Sequence, residues 1–382
     1  MRMIGRAARD NRGIAVCGLL LMAPAAFAQR PGVAQSAAPV VETTFAATVA
    51  RLSEPSGVFD TDNLISNESS YLHVVPRLRA LGVRGGAYIG VGPDQNYSYI
   101  ATIRPAVAYL IDVRRDNLLQ HLMYRALFER SRNRMEYLCR WLGRPIPADI
   151  DAWTERSIND LVGYLARTSA DSGFAINEQR ALLASAVRTG IPLSQADRAT
   201  IARVHSTFVR EGLELRFTSF GRPPRWYYPT LSQLMLERDA DGRMASYLVR
   251  EDDWRFVKSL HAADRIVPLV GNLAGPSALR AVARELAARR QVVSAVYTSN
   301  VEFYLWGDGS FGRFAATVAA LPRDGRSVII RSYFGAQRGA PHALAVNGYV
   351  SVQLLQPIDD FVRRSGDGSW RSYQDLVTLG AK

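Results

Sequence analysis

The stretch GGAYIGVGPDQNYSYIATIRPAVAYLID (residues 85–112) passes through strand, turn, helix and strand in one short run. Ala87-Tyr88-Ile89 is a short apolar strand entering the turn Gly90-Val91-Gly92-Pro93-Asp94. Glycines at that place permit a tight turn and close backbone approach to a ligand. The spacing of Tyr97, Ile100 and Ile103 predicts a helix, ended by Pro105. Val107 to Val113 reads as the next strand, with Asp112 near its end, roughly 20 residues past Gly90. An acidic side chain at that place accepts hydrogen bonds from ribose hydroxyls. The unit is therefore read as a Rossmann-type nucleotide-binding turn.

What the turn lacks narrows the ligand. The dinucleotide fingerprint wants a third glycine where Gln95 stands. A pyrophosphate would rest on the helix N-terminus, where Asp94 is expected to repel it. No Gly-Lys-Ser/Thr follows, so a P-loop is excluded, and a nicotinamide-dependent oxidoreductase is disfavoured. A ligand with adenosine, no phosphate and positive charge near the turn fits better; S-adenosylmethionine is one. Gly90, Gly92, Asp94 and Asp112 are the first cofactor-binding candidates. Asp62, Asn63, Asn67 and Glu68, with Tyr71, form a polar cluster just ahead of the unit. We read Asn67 and Glu68 as further cofactor contacts, with ordinary turn and cap chemistry as the alternative.

Outward from this unit the chain alternates strands and helices. Ahead of it, the spacing of Phe45, Val49 and Leu52 predicts a helix over 42–52. A second helix, carrying Leu72, Val75, Leu78 and Leu81, is expected to kink at Pro76. Behind it, one long helix is expected to about Trp141, then a helical insertion over about 144–212. Further strands are expected at Leu213 to Thr218, Ile266 to Val270, Val292 to Thr298, Ser327 to Phe334 and Tyr349 to Gln356. Helices from Ser277 to Arg290 and from Phe311 to Leu321 separate several of these. The expected fold is α/β, a Rossmann-like, mostly parallel sheet of about seven strands with helices on both faces. With no helix between the last two strands, the final one is free to run antiparallel. In open α/β sheets ligands bind beyond the carboxyl ends of strands. That points to Asn272, to Ser299 and Asn300, and to Glu302 as a general base or substrate contact, with ordinary turn residues as the alternative. Arg331 and Tyr333 are weaker candidates.

The first 28 residues read as a signal peptide: Arg2, Arg6, Arg9 and Arg12, an apolar run from Ile14 to Phe27, and Ala26-Phe27-Ala28 before Gln29. Residues 29–41 read as a flexible leader, and 42–382 as one domain carrying the insertion. An exported, periplasmic or secreted protein is expected. The apolar run is short for a membrane span and no later stretch matches it. Of the two cysteines only Cys139 follows the signal, so internal disulfides and cysteine-based metal sites are not expected. The formal charge is +12, nearly all of it arginine, since lysine occurs only at 258 and 382. The arginines are scattered, so no nucleic-acid site is read from them. His73, His121, His205, His261 and His342 show no metal-ligand spacing and are read as structural.

Tyr88-Ile89-Gly90-Val91-Gly92 and Asp112 resemble the class I S-adenosylmethionine-dependent methyltransferase superfamily. The strings GVGPDQNYSYI (90–100), YLIDVRRDNL (109–118), VPLVGNLAGPSALRAV (267–282) and YTSNVEFYL (297–305) are similar to an uncharacterised bacterial family with that fold, from about Phe59 to Phe334. The resemblance implies a seven-stranded Rossmann-like sheet and an S-adenosylmethionine site, and names no substrate. Asp94 replaces the usual third glycine, and no Asn/Asp-Pro-Pro-Tyr/Phe motif for amino-group methylation occurs. A methyltransferase and a non-catalytic binding or scaffold protein of the same fold both follow from these features.

Overall fold

The computed structural model describes residues 44–335 and 341–379. The expected signal peptide and leader lie outside the described residues. Helix α1 (Phe45–Leu52) begins at Thr44, whose hydroxyl accepts from the Ala47 amide at 3.2 Å. Helix α2 (Val75–Ala80) carries Pro76 in its first turn. There the missing N–H has no intrahelical partner to lose, so the proline is accommodated at the helix start, in place of the expected kink. Then come β1 (Ala87–Gly90), α3 (Gln95–Ile103) and β2 (Val107–Asp112).

The single long helix expected next is two, α4 (Arg115–Arg130) and α5 (Arg134–Leu142). Asn133 divides them, because its side chain accepts from the Glu136 amide at 3.0 Å and caps a new start. The insertion is helical as expected: a 3₁₀ turn at Ile150–Glu155, then α6 (Ile158–Arg167), α7 (Ser172–Arg188) and α8 (Gln195–Glu211). Both α7 and α8 pack on α4, burying Leu182, Ile201, Val204 and Phe208. The chain continues through α9 (Leu231–Met235), α10 (Glu251–Ala262), β3 (Ile266–Val270), α11 (Ala278–Ala288) and β4 (Val293–Ser299). It ends with α12 (Val301–Gly307), α13 (Phe311–Ala319), β5 (Val328–Tyr333), β6 (Val352–Pro357), α14 (Ile358–Gly366) and α15 (Tyr373–Thr378).

The strands form one sheet in the order β3-β2-β1-β4-β5-β6. All neighbours are parallel except β6, which runs antiparallel to β5. The sheet therefore has six strands among the described residues, one fewer than expected. The missing one is Leu213 to Thr218. Its Leu213, Leu215 and Phe217 are buried, which produced the strand-like pattern. The segment instead makes a 3₁₀ turn and isolated bridges from Arg216 to Thr230 and from Ser219 to Thr61 and Arg222. Right-handed crossovers outward to β3 put α3 and α4 over one face, and the return to β4 and β5 puts α11 and α13 over the other. Packing follows this division, α2, α3, α4 and α10 forming one group and α1, α11, α13 and α14 another.

Candidate functional site

The order in which strands are added to the sheet reverses between β1 and β4, the point at which open α/β folds bind ligands. A cavity of about 460 Å³ opens there, at the carboxyl ends of β1 to β4. That volume lies within the usual range for small-molecule and cofactor sites.

The β1–α3 turn forms its floor, and internal hydrogen bonds set that turn's shape. Asn96 folds back beneath it, and its side-chain amide donates to the carbonyls of Val91, Gly92 and Pro93 at 2.8, 3.1 and 2.8 Å. Its Oδ1 accepts from the Tyr88 hydroxyl at 2.8 Å. A side chain on Gly90 would put Cβ 2.0 Å from that oxygen. Gly90 is thus required by the protein's own packing and does not line the cavity, which corrects its expected ligand role. Gly92 does line the cavity, with φ +82°. His121 supports it from below, its Nε2 lying 3.0 Å from the Gly92 carbonyl and its Nδ1 2.9 Å from the Tyr97 hydroxyl. Burial pushes His121 down to about 4, so the ring is neutral. Since a carbonyl only accepts, Nε2 carries the proton and Nδ1 accepts from Tyr97.

Two segments enclose the cavity from above. Residues 53–63 cross the ends of β3 and β2, with the Glu54 amide donating to the Val270 carbonyl at 2.7 Å and the Gly57 amide to Val113 at 2.8 Å. The Glu54 carboxylate accepts from the Ser277 and Ala278 amides at 2.7 and 2.6 Å and so occupies the N-terminus of α11. Residues 217–228 form the second cover. Asp62 accepts from the Thr218 amide at 3.3 Å, and the Asp60 carboxylate pairs with Arg222. Tyr227 and Tyr228 line the cavity, while Trp226 beside them is 86% exposed. None of 144–212 reaches the cavity lining, so the helical insertion is not its cover.

The candidate residues separate into those the fold brings together and those it does not. Asn67, Gly92, Asp112, Asn272 and Asn300 all line the cavity. Asn272 also accepts from the Ala274 amide at 2.9 Å, an ordinary turn contact. Asp112 is the most constrained. Its Oδ1 accepts from the Arg114 amide and Nε at 2.9 and 3.1 Å, and Oδ2 accepts from Nη2 at 3.0 Å. Arg114 Nη1 in turn donates to the carbonyls of Thr61 and Asp62 at 3.1 and 2.8 Å. A carboxylate offers about four acceptor positions. Three are used, so Asp112 has room for one ligand hydroxyl.

Asp94, Glu68 and Glu302 do not line the cavity. Asp94 keeps some surface, yet its carboxyl turns toward the tyrosines, 3.5 Å from the Tyr247 hydroxyl. Burial pushes it up to about 7. It therefore does not stand as a fixed negative charge facing the ligand, and the exclusion of phosphate on that ground falls. Glu302 is almost wholly buried against Arg331, with contacts of 2.6 and 3.2 Å, and Arg331 also donates to Gln356 at 2.7 Å. The expected general base is half of an internal ion pair. Glu68 is fully buried one hydrogen bond behind the wall, bonded to Ser299, which lines the cavity. Of the other candidates, the Tyr71 hydroxyl turns away to the Leu234 carbonyl at 3.0 Å, and the Tyr333 hydroxyl donates to Gln374 at 2.8 Å.

Sequence reasoning missed Thr61, Gln95, Arg114, Arg222 and Arg225 in the lining. Gln95 was visible only as an absent glycine. Arg114 was visible only as half of Arg114-Arg115. Among the described residues no group of three or more His, Cys, Asp or Glu is placed to hold a metal ion, and no helix is long and apolar enough to cross a membrane.

Fold and cavity together define an α/β protein with a ligand-sized cleft at the switch point of a mostly parallel sheet. The chain matches the family described as Domain of unknown function (DUF7790) over residues 64–161 and 216–379, and it belongs to that family. The matched residues contain all six strands, and the stretch between them covers the end of α6, α7 and α8. No curated protein matches the chain.

Proposed function

We propose that the chain binds S-adenosylmethionine in this cavity and transfers its methyl group to an acceptor. The observation that carries the reading is the position of the cleft, over the left-handed Gly92 turn and against Asp112 at the β1/β4 switch point. Asp112 receives one ribose hydroxyl, and Asn67 and Asn300 supply further polar contacts along the wall. Methyl transfer from a sulfonium requires chiefly that the methyl group be held in line with the nucleophile. The rigid turn, backed by Asn96 and His121, suits that task.

Calorimetry with S-adenosylmethionine and S-adenosylhomocysteine tests the reading. Micromolar binding is expected, weakened about tenfold in Asp112→Asn by loss of a charge-assisted hydrogen bond. A folded chain that binds neither compound overturns it. The second reading, a non-catalytic binding or scaffold protein, is favoured by one observation: Glu302, the candidate base, and Glu68 are both internally hydrogen-bonded. It expects binding without turnover. We also propose export on the strength of the N-terminal segment; a mature chain still beginning at Met1 contradicts it.

A further inference from the structure

Behind the inner wall of the cavity lies a carboxylate with no basic partner. Glu68 is fully buried, and its oxygens accept from Tyr297 Oη at 2.7 Å, Gln353 Nε2 at 2.8 Å and the Ser299 hydroxyl. Every donor is neutral, and among the described residues no Arg, Lys or His pairs with it. Three converging donors hold it as an acceptor, and no cationic side chain stands beside it in this low-dielectric setting.

Two further features lie between Glu68 and the cavity. Gln95 lines the cavity and is 7% exposed, and its Nε2 donates to Tyr297 Oη at 3.4 Å. That bond turns Oε1 away from Tyr297, and Oε1 has no hydrogen-bond partner. A buried amide oxygen left unpaired is unfavourable unless a donor arrives. Ser299, also in the lining, adopts φ +52° where the β4 register shifts against β5. A non-glycine residue in that region is strained, and such residues concentrate at binding sites. Here the Ser299 hydroxyl is turned to Glu68.

We infer that Glu68, acting through Gln95 and Ser299, makes this end of the cavity a subsite for a cationic, hydrogen-bond-donating group of the ligand. An ammonium close to the ligand's sulfonium has the required chemistry. Gln95 Oε1 accepts from it, and Glu68 supplies the compensating charge one hydrogen bond further in. Glu68 is a positioning residue under this assignment, because it touches no ligand atom itself. The inference rests on the adenosyl reading above but makes a separate claim about charge.

The test compares S-adenosylmethionine with 5′-methylthioadenosine, an uncharged adenosyl thioether lacking the amino-acid part. The parent chain, Glu68→Gln and Ser299→Gly are titrated with each. Ser299→Gly suits the left-handed backbone, so it keeps a folded protein in the comparison if Glu68→Gln fails to fold. The parent is expected to favour the charged compound by about tenfold or more, and each variant to lose most of that preference while binding methylthioadenosine as the parent does. An unchanged preference in either variant overturns the inference and leaves the adenosyl reading standing. If the parent binds neither compound, the adenosyl reading fails, and agmatine and methylammonium then test the subsite by thermal shift. Stabilisation of the parent that vanishes in the variants upholds the cationic subsite; equal shifts, or none, overturn it.

Discussion

Glu68 and Glu302 are both buried near the carboxyl edge of one sheet, and they differ in what surrounds them. Glu302 is closed off by the Arg331 guanidinium, whose remaining reach goes to Gln356. Glu68 is met by a tyrosine, a serine and a glutamine, all neutral, beside a cavity. A carboxylate paired with arginine is electrostatically complete and belongs to the scaffold. One held by neutral donors beside an open volume still has a field to exert on what enters that volume. Burial alone does not separate structure from function; the charge of the partners does.

The comparison can be broken most strongly at Glu302. Glu302→Ala leaves Arg331 buried and unpaired, and is expected to destabilise the chain by about 3–5 kcal/mol in urea or thermal unfolding. Glu68→Gln keeps a hydrogen-bonding isostere and is expected to stay within about 1 kcal/mol of the parent while losing charge preference. Equal losses of stability would remove the distinction.

Asp94 sharpens it through pH. Its folded pKa of about 7 lies above the usual aspartate value of 3.8, because burial disfavours the charge. Between those values the folded state holds the extra proton, so this group's contribution falls as pH rises through the window and levels off above it. Asp94→Asn is therefore expected to gain stability over the parent progressively from pH 4 to pH 7, by at most about 4 kcal/mol. A difference independent of pH contradicts this.

Smaller effects follow at the cover of the site. Glu54→Ala uncaps α11 and releases the 53–63 segment, with an expected loss of about 1–2 kcal/mol and faster amide exchange at Ser277 and Ala278. Ser299→Gly relieves an unfavourable backbone angle and loses one hydrogen bond, so its net change is expected within about 1 kcal/mol.

The sheet was largely legible because parallel strands buried on both faces appear as continuous apolar runs. Ile266–Val270 matches its expected bounds, and the last strand, which the sequence left free to run antiparallel, does so. Leu213 to Thr218 misled because burial without a ladder partner leaves the same pattern. At the site, the candidates Asn67, Gly92, Asp112, Asn272 and Asn300 line one cavity. The sequence could not show that Arg114 engages Asp112, that Arg331 closes off Glu302, or that Asp94 turns inward to Tyr247. Apart from the local Arg114 clamp, those partners lie far along the chain, and no local spacing encodes them.

The central claim is that the cleft over Gly92 receives an adenosyl ligand with its positive charge toward Gln95 and Ser299. A crystal structure of the chain grown with saturating S-adenosylmethionine tests it directly. The adenosyl group is predicted against Gly92 and Asp112, with the ammonium within hydrogen-bond reach of Gln95 Oε1. Ligand density elsewhere with this cleft empty, or the charged group turned away from Glu68, would contradict the account.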